Sequence, residues 1–179
     1  MALQSNQRLK GLRSKSTGAL FEEKIIFAEL YYRNNGYCFI QKTPEPMHVL
    51  SPLKGKPGHF EACFEKQAQP DFRGILCDGS TILFDAKHTD TDRITRQVVT
   101  AEQEKCLDVH EKFGAHCFII VSIRFENYYR VPWNIFRDMK EYFGHKYMNE
   151  AELAPYQIKN TNGILRFLDG IEIAEKGNE

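Results

Sequence analysis

Pro70-Asp71-Phe72-Arg73-Gly74-Ile75-Leu76-Cys77-Asp78-Gly79-Ser80-Thr81-Ile82-Leu83-Phe84-Asp85-Ala86-Lys87 constrains how the rest of the chain can be arranged. Two short apolar segments flank Asp78-Gly79, a pair that tolerates positive φ and closes tight β-hairpins. A hairpin folded there returns Asp85 to the side of Asp71, although fourteen positions separate them. Period-2 alternation sets Asp85 and Lys87 on one face of the second strand and turns Ala86 away. Two carboxylates and an ammonium then converge at one end of the hairpin. That set suits a divalent metal and phosphodiester hydrolysis. A lone Asp-x-Lys is common by chance, so the surrounding elements carry weight.

Upstream, Leu20, Phe21, Ile25, Ala28 and Tyr32 recur at helical spacing, which predicts a helix from 17 to about 34 stopped by Asn34-Asn35-Gly36. Tyr37–Gln41 reads as a strand. Residues 46–69 lack periodicity and are punctuated by Pro52, Gly55, Pro57 and Gly58. Connections that long are functional or disordered, and Phe60, Cys63 and Phe64 argue for an ordered protrusion. Downstream, Arg93–Phe113 reads as a helix capped by Thr95 or by Thr100, the latter with Gln103 in a capping box. Ala115–Ile123 has the continuous apolar character of a strand buried on both faces. Asn127–Val131 pairs beside it, and Pro132 opens another helix. The order predicts a mixed β-sheet flanked by helices. It divides into a basic flexible arm over 1–16, one domain over 17–165 with the 46–69 protrusion, and a polar tail over 166–179.

The bulk composition supports one soluble domain. The chain has 179 residues, 42% hydrophobic and 27% charged, with zero formal net charge. No apolar run approaches the roughly 20 residues of a membrane helix, and no signal-peptide core opens the chain. Five cysteines without a Cys-x-x-Cys pair disfavour a disulfide framework or zinc site and fit a reducing cytoplasm. Zero net charge argues against coating DNA with the whole surface. Charge is nevertheless uneven: Arg8, Lys10, Arg13 and Lys15 precede the first acid. This arm is either merely solvated or a phosphate contact.

Magnesium takes oxygen ligands and keeps several waters. Asp71, Asp85 and the carbonyl of Ala86 supply protein oxygens, with Mn²⁺ a plausible substitute for Mg²⁺. Glu22 and Glu23 lie on the first helix and the wheel does not separate them; Glu22 is the candidate for a second metal or a metal-bound water. Lys87 would orient the attacking water and offset transition-state charge. Gln103 reaches the same point if both helices pack on the face carrying Asp85; its alternative role is as a cap. His88 points away from Lys87 and reads as a surface residue. Tyr128, Tyr129 and Trp133 read as core ahead of base-stacking groups.

Together these residues resemble the RecU family of Holliday junction resolvases, within the PD-(D/E)xK nuclease superfamily. The resemblance spans about Gly18 to Gln157 and includes Phe21-Glu22-Glu23, Lys42-Thr43-Pro44-Glu45-Pro46, Asp71-Phe72-Arg73-Gly74, Phe84-Asp85-Ala86-Lys87-His88-Thr89, Glu102-Gln103 and Gly114–Ile120. It implies a PD-(D/E)xK nuclease-like α/β core with a protruding stalk. It also implies a magnesium-dependent homodimer that cuts four-way DNA junctions symmetrically in recombination and repair, in a bacterial or phage-infected cytoplasm. The metal carboxylates fall on Asp71 and Asp85, the lysine on Lys87, the helical glutamate on Glu22 and the stalk on 46–69. Asp85 stands where many members have glutamate, and the modest size suits a phage or prophage member. Branched DNA is the implied partner, with recombination proteins beside it. Lys54, Lys56, Lys66, Arg93, Arg96 and the basic arm are the phosphate-contact candidates. Two other readings stay open: another PD-(D/E)xK endonuclease, specific for a sequence or a flap, and a branched-DNA recruiting protein with a vestigial site.

Overall fold

A computed structural model describes residues 2–64 and 69–172, with side chains from residue 16 onward. Helix α1 (Ala2–Asn34) is followed by strand β1 (Cys38–Lys42) and a separate pair, β2 (Met47–Pro52) and β3 (Phe60–Phe64). The central hairpin is β4 (Phe72–Leu76) and β5 (Thr81–Thr89). Then come β6 (Arg93–Thr95), α2 (Ala101–Lys112), β7 (His116–Ile123), β8 (Asn127–Pro132), α3 (Trp133–Arg137), α4 (Met139–Phe143), β9 (Tyr147–Asn149) and α5 (Glu150–Leu153). A short final hairpin, β10 (Asn160–Thr161) and β11 (Ile164–Leu165), closes the described chain.

Five strands form one mixed sheet in the order β1-β4-β5-β7-β8. Only β5 and β7 run parallel, joined through α2; the other neighbours are antiparallel. The predicted turn is present. Gly79 takes φ 92°, and Asp78 Oδ1 accepts the Ser80 N–H at 2.9 Å. Phe72, Phe84 and Phe118 share one row across three strands and stack at 5.0 and 4.9 Å between ring centroids. A one-residue slip would break this ladder and reverse every side chain, so the ladder holds the register that sets Asp85 on the opposite face.

The two faces have separate cores. Phe21, Ile25, Ala28 and Tyr32 of α1 cover Phe72, Phe84, Phe118 and Ile120. Leu107 of α2, with Trp133, Phe136 and Met148, covers Leu83, Ile119 and Val121. The helices thus lie on opposite faces, which corrects the expectation that both pack over Asp85. Tyr128, Tyr129 and Trp133 are buried, as read from the sequence.

Four boundaries differ from the sequence reading. Residues 2–16 continue α1 rather than starting apart from it; this segment holds no proline to interrupt the backbone. Arg93–Thr95 is a strand, because it pairs with β9, and α2 starts after Thr100. Phe167 and Leu168 are core residues, held where Arg130 donates to the carbonyls of Phe167 and Asp169 at 2.8 and 2.9 Å. The domain therefore runs past 165. Finally, the 46–69 protrusion contains an antiparallel two-stranded sheet of its own, exposed along both strands.

Candidate active site

The chain gathers its carboxylates where the central hairpin opens. Asp85 is fully buried on β5, and Asp71 is 9% exposed just ahead of β4. The Asp71 N–H donates to Asp85 Oδ1 at 2.9 Å, and the Ala86 N–H donates to Asp71 Oδ2 at 3.0 Å. A strand residue's N–H and C=O point to the same side, so the Ala86 carbonyl opens beside Asp71. Lys87 Nζ stands 3.0 Å from Asp85 Oδ2. The approach is off-angle, and Oδ2 is left buried without an aligned hydrogen bond.

Gln103 fills both roles the sequence held open. Its Oε1 accepts the Thr100 N–H, and its own N–H goes to Thr100 Oγ1, completing the capping box. Its Nε2 donates to Asp85 Oδ1 at 3.2 Å. The cap thereby locks the amide that orients the carboxylate. Glu22 forms an ion pair with Lys42, while Glu23 is exposed, so the structure orients Glu22 toward the β1 end. Glu22 makes no hydrogen bond or ion pair with Asp71 or Asp85 among the described residues; its partner is Lys42. Bonding to Glu22 raises the Lys42 pKa, and the Asp71 charge acts in the same direction. The Thr43 N–H donates to the Asp71 carbonyl at 2.8 Å, fixing β1 against the site. Sequence reasoning gave Lys42 no role; its one signal was its place beside Thr43-Pro44.

Burial, and then the Asp85 charge, push the Asp71 carboxyl up from 3.8 to about 7. Native protein keeps this proton in a pH range where the unfolded chain has lost it. Stability contributed here therefore falls as pH rises from 3.8 to about 7, then levels off. Denaturant unfolding in EDTA at pH 5 and pH 8 tests this. The parent should lose on the order of a few kcal/mol more than Asp71→Asn over that interval. An equal pH response in both would show that Asp71 does not carry the proton.

These residues fit a divalent cation. Two buried carboxylates held together are costly unless cations or a proton compensate them, and Lys87 supplies a single ammonium at 3.0 Å. Among the described residues no three His, Cys, Asp or Glu side chains gather at one point. Asp71, Asp85 and the Ala86 carbonyl would form a small oxygen set, the donor type magnesium prefers.

The remaining candidates divide clearly. Lys54 and Lys56 are exposed in the β2–β3 turn. Arg93 is exposed with its guanidinium over Tyr147. Arg96 is occupied: it pairs with Glu104 at 2.7 Å, covers Trp133 and is 12% exposed. Lys66 and the side chains of Arg8, Lys10, Arg13 and Lys15 lie outside the described residues. His88 is a correction. Its side chain is only 5% exposed, because it packs on Phe125 and bonds Ser122 Oγ at 3.1 Å.

Residues 16–173 match the family model RecU, described as Recombination protein U. No curated protein matches the chain significantly. Among solved structures, the Holliday junction resolvase Hjc of the archaeal hyperthermophile Archaeoglobus fulgidus is similar at 11% identity and a TM-score of 0.47, covering 78% of this chain and 89% of that one.

Proposed function

Because the chain belongs to the RecU family of Holliday junction resolvases, we propose that it cuts four-way DNA junctions by paired, metal-dependent nicks. The observation that carries this reading is the buried Asp71–Asp85 pair, with Asp85 Oδ2 ion-paired to Lys87. Asp71, Asp85 and the Ala86 carbonyl would hold a magnesium ion, which when bound would supply Lewis-acid polarisation and a more acidic water. Gln103 fixes the Asp85 carboxylate so that one oxygen stays directed into the site. Lys87, 18% exposed, places an ammonium where the attacking water and the phosphoryl oxygens must come together. Glu22, held by Lys42, is the further carboxylate available to orient water.

The substrate and assembly follow from symmetry. A four-way junction is nearly two-fold symmetric, and a C2 homodimer presents two identical sites to two strands. Recognition then rests on phosphates and branched shape more than on base edges. The β2–β3 hairpin leaves the body at Pro46 and returns at Gln69, two residues before Asp71. From there it would reach the DNA near the cut, and Lys54 and Lys56 at its turn would offer charge to the junction centre. Recombination proteins are the partner class such an enzyme would meet, in the cytoplasm; among the described residues no helix is long and apolar enough to cross a membrane.

The test sets a synthetic four-way junction beside linear duplex of matched sequence, with magnesium and with EDTA. Paired nicks confined to the junction and lost in EDTA support resolution. Equal cutting of both leaves a nuclease of other specificity, and binding without cutting favours a recruiting protein. A companion variant lacks residues 50–60, closed by a short glycine link. Its thermal midpoint should stay within a few degrees, because the hairpin is not part of the main sheet. Its preference for junction over duplex should drop about tenfold or more, equivalent to about 1.4 kcal/mol. An unfolded product would place the hairpin in the folding core instead.

A further inference from the structure

We infer that Arg73 is a positioning residue that grips a DNA backbone phosphate next to the one being cut, an inference resting on the nuclease reading above. Arg73 lies opposite Leu83 across the β4–β5 pair, and opposite residues share a face. Leu83, Asp85 and Lys87 alternate along that same face of β5, so Arg73 is the diagonal neighbour of Asp85. Helix α2 covers the β5–β7 half of this face with Gln103 and Leu107. Among the described residues no helix covers the β1–β4 half. Gln41 and Arg73 sit side by side there, with Phe39 and Ile75 behind them, and all four are exposed. The result is an open shelf leading to the carboxylates, with its cation at the inner edge.

The bonding of Arg73 is unusual for a guanidinium beside two aspartates. Lys87, not Arg73, sits on Asp85. Arg73 Nη1 donates only a long hydrogen bond, 3.4 Å, to Gln69 Oε1. It forms no ion pair among the described residues. An exposed planar fork with unused donors matches the paired oxygens of a phosphate. A strand crossing the shelf toward Asp85 would present to Arg73 a phosphate flanking the reacting one. Holding that neighbour fixes the scissile group against the carboxylates without touching the bond that breaks.

Arg73→Ala and Arg73→Lys separate this role from simple solvation, since the exposed position should tolerate both. Junction affinity in EDTA, measured against salt, should lose about one unit of log–log slope in Arg73→Ala and keep it in Arg73→Lys. With magnesium and saturating enzyme, single-turnover cleavage should slow about 100-fold in Arg73→Ala. Arg73→Lys should recover part of the rate, because an ammonium restores charge but not the fork. A neutral methylphosphonate at the flanking phosphate should slow the parent and leave Arg73→Ala unaffected, as expected for two changes to one contact. Unchanged slope with unchanged rate overturns the assignment. If the parent binds junctions and cuts no DNA, the nuclease reading fails, and the salt slope alone decides whether Arg73 holds a phosphate.

Discussion

Asp85→Asn should yield a folded protein that binds four-way junctions at least as tightly as the parent and cleaves them roughly 1000-fold more slowly. Asparagine keeps the shape of aspartate and one carbonyl oxygen. That oxygen can still accept from the Asp71 N–H and from Gln103, the two bonds that now seat the side chain. What disappears is the negative charge that a cation requires, at a fully buried position. Lys87 loses its counter-charge but is 18% exposed, so its ammonium can reach water. Binding should tighten because a buried negative charge is removed from beneath a surface that phosphates approach. The substitution also has a signature independent of cleavage. The Asp85 charge is one cause of the raised Asp71 carboxyl, so the pH-dependent loss of stability in EDTA should shrink. Single-turnover cleavage, junction titration and unfolding at two pH values measure all three effects. A variant that cuts within tenfold of the parent would remove Asp85 from the chemistry, and a folded variant that no longer binds would make it a recognition residue.

The hairpin and its carboxylates were legible because their determinants are local. Asp78-Gly79 specifies the turn, and alternation then dictates which residues share a face with Asp85. The cover over each face was not legible. Leu83 and Ile119 on one side, and Phe84 and Ile120 on the other, are equally apolar, so the strands carry no contrast that would direct a helix to one face. Arg93–Thr95 is a strand only through its pairing with Tyr147–Asn149, a contact with no local signal. The β2–β3 hairpin escaped recognition for a related reason. With both faces exposed, nothing selects for alternation, and Met47, Val49, Leu50, Phe60 and Phe64 stand in solvent. Phe167 and Leu168 sit among charged neighbours that read as a polar tail, yet Arg130 and Tyr32 bind the backbone of this segment down. At the site, Gln103 showed why one residue resisted a single assignment: the spacing of a cap and the reach to Asp85 are both satisfied.

Gly74→Ala should unfold the protein at a thermal midpoint roughly 6–12 °C lower, equivalent to about 3 kcal/mol at this chain length. The glycine sits in β4 opposite Ile40, and its conformation is ordinary, so backbone freedom is not what the position needs. It needs the absence of a side chain. A Cβ built there would stand 2.2 Å from the Phe39 carbonyl oxygen and 2.6 Å from the Ile40 Cα. Both are backbone atoms, so no rotamer change relieves the contact, and β1 itself must move. Overpacking that side chains can partly absorb already costs 1–3 kcal/mol. Here the displaced strand also carries the buried Cys38 and Ile40. The injury reaches the candidate site, since Lys42 and Thr43 close β1 against Glu22 and Asp71. Cleavage measured well below the new midpoint should therefore fall further than the folded fraction does. A melt within two degrees of the parent would mean that β1 can shift freely on β4, and then the Lys42–Glu22 pair could not owe its position to that strand.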